Sequence, residues 1–520
     1  MKLKNRPLVY AVAAWIVLCA VGRAQVVAET VGFTIRDRQM YGPAVRYICF
    51  DSLSGTHAVW KDSYGLVRYN FRPRTGGWRW PDGIVVNAEP RTLGSMDVNM
   101  VRHTAMIAAS HLDSNVHVLT RLVDSAPGAG TFSEDEVRVD CHYPLIGANQ
   151  YGTPKFAALS NDSLTFLSML SVVPFFLGHV GTFPAFNLAG SKQIGRYGYI
   201  WAETEDPDRG TLFLCETPNN GQNWYAPSRL SDSVPSPLSR SLLSGCGTYD
   251  STNIHLLADL YDGSDVLHSQ IWHYTKYPTP TWRLVHEYAC PPGARIGDDA
   301  LAADRPSIGM NRALDELCAV WEQFNPDNVD PLTGLCRADI WAARTDIAAT
   351  RTNAGDYNWG PPVRLTVPDS TSKRFPFLSE VVNDTLHIIY FADRVAGFSE
   401  LGQGPQTVNP VIYLRVPVNL LPSGVSENRP MTVRRLGLGA YPNPFRGTVT
   451  IRLSDSSFIA HHSSLVLRVF DAAGGAVLES PIANRHSPFA LDLRSMPAGV
   501  YFVTAGAGPD VRSCRIVKTP

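Results

Sequence analysis

Tyr199-Ile200-Trp201-Ala202-Glu203, then Gly210 to Glu216, then Thr217-Pro218-Asn219-Asn220-Gly221-Gln222-Asn223-Trp224 make one complete structural unit. The first run is apolar, carries two aromatic rings and ends on an acid, as a strand entering a turn does. The second contains Leu212-Phe213-Leu214, residues that fit a half-buried pleated surface. The third is turn chemistry: the Asn219 side chain can bond its own turn's backbone while Gly221 takes a positive φ. Trp224 then closes the unit in a short outer strand.

The same parts recur along the chain. Apolar strands ending in or near an aromatic are His57-Ala58-Val59-Trp60-Lys61-Asp62, Leu317-Cys318-Ala319-Val320-Trp321-Glu322 and Leu386-His387-Ile388-Ile389-Tyr390. Less regular copies are Val116-His117-Val118-Leu119 and His255-Leu256-Leu257-Ala258-Asp259. A second strand follows each, at 65–71, 136–143, 266–275, 336–344 and 409–416. With the copy at 210–216, these second strands start roughly 55–75 residues apart, a spacing that belongs to repeat architectures. Short tryptophan strands close several repeats: Gly77-Trp78-Arg79-Trp80, Thr281-Trp282-Arg283 and Asn358-Trp359-Gly360. Large flat rings bury much apolar area between neighbouring sheets, and four-stranded units arranged radially leave only short protected edges. The expectation is an all-β chain whose residues 31–420 form a six-bladed β-propeller. Residues 155–171 can seed a seventh blade, so seven blades is the alternative. Thr217, Asn219, Gly221 and Trp224 resemble the Asp-box of sialidase-like (BNR) propellers, with Asn in place of the family's Asp. In that family the box is a structural turn on the outer rim, remote from any catalytic centre. Residues 351–359 are a looser relative.

After Leu420 the pattern breaks. Residues 421–438, with Pro422-Ser423-Gly424 and Glu427-Asn428-Arg429-Pro430, read as a linker. Beyond it Val449, Ile451 and Leu453 alternate with Thr448, Thr450 and Arg452, and 465–469 and 489–493 repeat that period of two. A small immunoglobulin-like sandwich over 439–520 satisfies such strands. It opens with Tyr441-Pro442-Asn443-Pro444-Phe445, carries Pro497-Ala498-Gly499-Val500-Tyr501 late, and ends with a basic Lys518. This series resembles the C-terminal sorting domain of proteins exported by the type IX secretion system. The resemblance implies recognition by that machinery and delivery through the periplasm to the outer-membrane surface or the medium.

The amino terminus agrees. Lys2, Lys4 and Arg6 precede an apolar stretch over 8–21 and a Gly22-Arg23-Ala24 small-x-small site, so 1–24 read as a signal peptide. No other segment is apolar enough to span a membrane. A net charge of -1 over 520 residues argues against nucleic acid as a partner. The cysteines after the leader are scattered without Cys-x-x-Cys, which indicates neither a zinc site nor a disulfide scaffold. Cys318 and Cys336 flank one expected hairpin and are the preferred disulfide pair; burial as free thiols is the alternative.

For chemistry, a basic residue stands just before the innermost strand of several repeats: Arg46, Arg102, Lys155, Arg305 and Arg374, with Arg240 a weaker sixth. Radial symmetry would bring them to one rim of the central channel. There guanidinium groups can hold a carboxylate or sulfate bidentately, as the arginine cluster of sialidases does. The alternative is that they pair with the acids ending neighbouring strands. No catalytic residue is named: Glu203, Glu205 and Asp298-Asp299 are acids without fixed geometry, and the Tyr-Arg-Ile-Pro opening of active sialidases is absent. Acidic loops at 325–330 and 203–208 offer oxygen ligands for calcium but match no known loop spacing. His142, His268 and His273 lack zinc spacing, and no phosphate loop or Gly-x-Ser-x-Gly elbow occurs. No cofactor is expected. The reading is a surface-delivered propeller that binds glycan or protein. The alternatives are a glycoside hydrolase or lyase at the channel mouth, and a structural surface-layer component.

Overall fold

Strands of five to ten residues with alternating or fully apolar faces cannot bury themselves singly, so they pair in sequence order and stack face to face. In the computed structural model the described residues are 26–39, 46–86, 89–113, 115–149, 151–160, 163–168, 171–179, 185–192, 194–202, 211–234, 245–250, 253–277, 279–347, 357–424, 438–453, 466–472, 474–481, 489–507 and 510–519. The proposed leader, Arg240, the 203–208 loop and residues 351–356 lie outside them. The chain divides into two compact units, 1–426 and 427–520.

The first unit holds seven sheets among the described residues, each built from strands that pair antiparallel in sequence order. Sheet 1 is Ile48–Asp51, Gly55–Lys61, Val67–Pro73 and Ile84–Val85; sheet 2 is Thr92–Asn99, Thr104–Asp113, Val116–Asp124 and Phe132–Val139. Sheet 3 is His142–Ala148, Pro154–Ser160, Ser163–Ser168 and Ser171–His179; sheet 4 is Ala185–Gly190, Tyr197–Ala202, Leu212–Thr217 and Ser228–Arg229. Sheet 5 is Gly245–Tyr249, Ile254–Leu260, His268–Thr275 and Thr281–Ala289. Sheet 6 is Ala303–Asn311, Glu316–Val329, Cys336–Asp346 and Val363–Arg364, with Val381–Val382 added parallel to its first strand. Sheet 7 is Ser372–Leu378, Thr385–Asp393 and Asn409–Pro417, and its fourth strand is Val27–Thr34 from the start of the chain. That strand pairs from Val27↔Arg415 to Thr34↔Asn409, with one irregularity between Thr30 and Gly32.

First strands of successive sheets touch in order, and Ile48–Asp51 of sheet 1 meets Thr385–Asp393 of sheet 7, so the sequence of contacts is cyclic. Short polar side chains stitch these first strands together. The Ile146 amide donates to Ser95 Oγ (2.8 Å), Gly247 to Asn187 Oδ1 (3.2 Å), Leu378 to Ser307 Oγ (3.0 Å) and Phe50 to Ser379 Oγ (2.8 Å). Backbone amides without a ladder partner are thereby satisfied.

The core lies between neighbouring sheets. One cluster joins sheets 7, 1 and 2 around Trp60 and Tyr69. Others join sheets 2 and 3, 3 and 4, 4 and 5, 5 and 6, and 6 and 7. Trp224 of sheet 4 meets Phe166 of sheet 3 edge-on with centroids 4.7 Å apart. In the turn before it, Thr217 Oγ1 accepts the Gly221 amide (3.0 Å), Asn219 Oδ1 accepts the Asn223 amide (2.9 Å), and Gly221 sits at φ +84°.

Sheet 3, whose described strands carry no tryptophan, includes most of the 155–171 stretch expected to seed a seventh repeat. One expectation needs correction. The preferred Cys318–Cys336 pair is excluded by register: Cys318 lies opposite Arg344 and Cys336 opposite Val329. Eight residues of strand separate Arg344 from Cys336, about 26 Å at strand rise.

The second unit has two sheets. Leu438–Tyr441, Thr448–Leu453 and Phe489–Asp492 form one; Ala476–Pro481, Val466–Asp471, Gly499–Ala507 and Asp510–Lys518 form the other. Phe445, Val449, Ile451, Val469, Tyr501, Val503 and Ile516 share the core between them.

Candidate functional site

Innermost strands from all seven sheets converge on a small cavity lined by Arg46, Ser95, Leu145, Ile146, Asn187, Leu188, Cys246, Ser307, Ile308 and Leu378. Its volume, about 20 Å³, suits one or two waters. The passage is therefore nearly filled at this level.

Toward the ends of the first strands, four charges close on one another. Arg46 reaches Asp97 (3.4 Å) and Glu380 (3.1 Å). Lys192 contacts Asp97 closely, Glu380 at 3.6 Å and the Ala148 carbonyl at 3.1 Å. Glu380 also accepts from Thr248 (3.2 Å), and Asp97 from the Ala148 amide (2.7 Å). Burial alone would raise the Asp97 carboxyl, but Lys192 and Arg46 outweigh it and hold the group below the usual carboxylate range. Two cations and two anions balance within this cluster.

The structure brings together two of the five basic residues expected at one rim. Arg305 Nη1 and Arg374 Nε both bond Glu322 Oε1, at 2.8 and 2.9 Å. Glu322 Oε2 takes the Phe375 amide at 2.7 Å, and Arg305 also holds Asp304 at 2.6 Å. Phe375 lies under Arg305, and Phe324 and Phe398 flank Arg374. All of these groups are buried; Arg305 and Arg374 are 4% and 3% exposed. Their pairing follows the alternative stated above, since Glu322 is the acid that ends a neighbouring apolar strand. Burial raises the Asp304 carboxyl, with Arg305 opposing and the neighbouring Asp259 adding to the rise.

The other three lie elsewhere. Arg46 sits in the central passage, and Arg102 is exposed in the turn that follows Thr92–Asn99. Lys155 is buried in the second strand of sheet 3, opposite Gly147 and Ser168. Arg305 and Arg374 share a local feature: the first strands of sheets 6 and 7 are bulged between Asp304 and Ser307 and between Arg374 and Phe377. Arg305 and Phe375 take φ of 52° and 53° there, which redirects their side chains.

Three turns share one construction. Leu53, Val101 and Tyr151 are 63%, 62% and 70% exposed. Their amides donate to the Asx side chain two residues earlier: Asp51 Oδ1 (3.2 Å), Asn99 Oδ1 (2.9 Å) and Asn149 Oδ1 (3.0 Å). Each turn joins the first and second strands of sheets 1, 2 and 3 respectively. An Asx bond fixes the turn and holds the apolar side chain in water.

A second repeated device is internal. His57, His255 and His387, on second strands, bond Tyr69 Oη (2.7 Å), His273 Nε2 (3.1 Å) and Tyr413 Oη (2.6 Å) on third strands. In each case the partner precedes the directly opposed residue (Phe71, Thr275, Arg415) by two. Burial lowers His57 to about 4 and His387 to about 3. Recurrence in three sheets marks these pairs as structural. The histidines were visible in the repeats, but their diagonal partners need the register.

The acidic loop at 325–330 uses its oxygens in its own fold: Asn325 Oδ1 takes the Asp327 amide (3.0 Å), and Asp330 takes the amides of Leu332 (2.8 Å) and Ala396 (2.7 Å). No group of three metal-binding side chains occurs among the described residues.

In the second unit, the opening motif clamps the last strand. Asn443 Nδ2 donates to the Arg515 carbonyl and its Oδ1 accepts the Val517 amide, both at 2.9 Å. Phe445 is buried, while Tyr441 is 80% exposed. Tyr501 Oη donates to the Pro497 carbonyl (2.8 Å), and Lys518 Nζ to the carbonyls of Arg494 (2.9 Å) and Met496.

Residues 439–519 match the secretion system C-terminal sorting domain family. That domain directs the chain to secretion or outer-membrane surface attachment, through the type IX machinery. No helix among the described residues is long and apolar enough to cross a membrane. No curated protein matches the chain. Solved structures resembling it include a polysaccharide lyase, an ulvan lyase bound to -[GlcA(1-4)Rha3S]-, at 10% identity, covering 71% of this chain and 94% of that one with a TM-score of 0.46. A triple arginine-to-alanine mutant of AofleA from Arthrobotrys oligospora gives 9%, 90%, 92% and 0.31 in the same order. A mutant α-L-arabinofuranosidase from Fusarium graminearum, in complex with an iminosugar inhibitor, gives 11%, 61%, 91% and 0.34. Scores at this level carry no argument about activity.

Proposed function

We propose that this chain is an exported seven-bladed β-propeller that binds a glycan or protein ligand at the cell surface, where Leu53, Val101 and Tyr151 border the central passage. The seven sheets serve as blades, with Val27–Thr34 closing the ring. Residues 1–24 are the leader and 421–438 the linker. The terminal unit is an immunoglobulin-like sandwich, and Thr217 to Trp224 is a structural turn of the Asp-box type found in sialidase-like propellers.

The observation that carries the binding reading is the repeated Asx turn. Three neighbouring sheets each use a hydrogen bond in a turn that holds a large apolar side chain in solvent, and polar groups surround it. Exposed apolar groups rimmed by polar ones mark interaction sites, and an aromatic such as Tyr151 adds rigid contact area at low entropic cost. A catalytic reading meets an obstacle in the buried acids. Asp259 and Asp304 are buried and Asp304 is held by Arg305 at 2.6 Å, whereas the carboxyl pairs of glycosidases stand about 5 Å or more apart and face substrate.

The test is a glycan array and a surface pull-down with the wild type and with Leu53→Ser, Val101→Ser and Tyr151→Ala combined. Binding lost in the folded triple variant supports the proposal. Unchanged binding, or turnover of a polysaccharide by the wild type, refutes it.

A further inference from the structure

Of the eight core clusters among the described residues, six hold one cysteine each, one holds none and one holds two. Cys49, Cys318, Cys215, Cys246, Cys514 and Cys141 belong to six different clusters. Cys290 and Cys336 share one, packed with Ile296, Ala300, Ala302, Phe324 and Ala338 and covered by Tyr288. The backbone explains their meeting. Cys290 directly follows the outer strand of sheet 5, and its amide bonds the Leu267 carbonyl (2.8 Å). A turn follows at once, with the Ala294 amide on the Pro291 carbonyl (3.1 Å). The reversed chain then gives its Arg295 carbonyl to the Cys336 amide (2.7 Å), the first residue of a sheet 6 strand. Cys336 is therefore laid against the turn that begins at Cys290.

We propose that Cys290 and Cys336, free thiols in this structure, are joined as a disulfide once the chain is exported, pinning the edge of sheet 5 to sheet 6. The chain passes into an oxidising compartment, where such bonds persist. The step is thiol–disulfide exchange. One thiolate attacks a protein disulfide oxidant, and the second thiolate displaces it, so two protons and two electrons leave the cysteines and the oxidant departs as a dithiol. The closed loop is about 45 residues long, a length at which a cross-link restricts the unfolded chain strongly. Burial raises both thiols, Cys290 to about 11 with Cys336 contributing.

The test is peptide mapping of the full chain recovered from the surface or medium of a type IX-secreting host. Free thiols are alkylated before trypsin is added, and no reductant is used. The expected product is the peptide Leu284–Arg295 linked to Ala313–Arg337, with fragmentation placing the bond on Cys336 rather than Cys318, and with a Tm lowered by roughly 5 °C on reduction. In Cys290→Ser the linked peptide disappears and Cys336 becomes alkylated. Alkylation of both Cys290 and Cys336 in the wild-type exported chain overturns the proposal, as does a bond of either to any other cysteine.

Discussion

Glu322 is the acid on which two guanidinium groups and one backbone amide converge, and its removal tests whether Arg305 and Arg374 are structural. In Glu322→Ala, Arg305 loses a 2.8 Å bond, Arg374 a 2.9 Å bond and the Phe375 amide a 2.7 Å bond. Glu322 itself is fully buried, and Phe324, Phe375 and Phe398 close over the arginines, so water cannot replace the lost acceptor. Breaking a buried ion pair from one side costs about 3–5 kcal/mol. Arg305 keeps Asp304 at 2.6 Å, which places the expected loss near the lower end, about 3 kcal/mol. Urea unfolding followed by tryptophan fluorescence reads this directly, since Trp321 is the preceding residue. A midpoint shift worth less than about 1 kcal/mol would refute the reasoning, because it would mean that the arginines reach solvent and are available to a ligand.

Three further outcomes are expected. The buried His57 and His387, lowered to about 4 and about 3, hold stability in full above an unfolded value near 6.5 and lose it as pH falls toward those values. At pH 5 the loss is about 2 kcal/mol per histidine, and a Tm unchanged between pH 7 and pH 5 would contradict it. Gly221→Ala places a Cβ 2.4 Å from Phe166 Cε1 at φ +84°; a destabilisation of about 2 kcal/mol is expected in thermal melts. Replacing Gly499, Val500 and Tyr501 by alanine traps the protein in the periplasm, as cell fractionation will show, and normal surface display of that variant would sink the assignment of these residues to sorting.

Much of the architecture was legible because second strands advertise themselves. The stretches at 57–61, 199–202, 317–322 and 386–390 all lie in second strands of their sheets, each apolar on both faces because sheets cover both sides. Val116 to Leu119 misled: it belongs to a third strand, and its alternating apolar residues imitate those of a second strand. The true second strand, Thr104–Asp113, is rich in alanine and lacks an aromatic, so nothing in its composition stood out. Sheet 3 was legible only as the 155–171 alternative, because its described strands carry phenylalanine but no tryptophan.

The site was less readable because its arginines lie at bulges, and a bulge turns a side chain away from the direction strand position implies. A signal was present. Tyr143-Pro144, Arg305-Pro306 and Phe375-Pro376 place proline inside a first strand, where it cannot join a ladder. All three sit at irregular register, with φ of 48°, 52° and 53° on the residue before proline. The Asx turns were equally visible as Asp51, Asn99 and Asn149, but their equivalence emerges only when the three sheets are aligned.

Closure of the ring by the first described strand is the claim on which the propeller reading and the central mouth both rest. Hydrogen exchange of the full chain measures it most directly. The account predicts that amides of Val27–Thr34 that face Asn409–Pro417 are protected together with those of their partner strand. Exchange of 27–34 at unprotected rates, with 409–417 still protected, would contradict it.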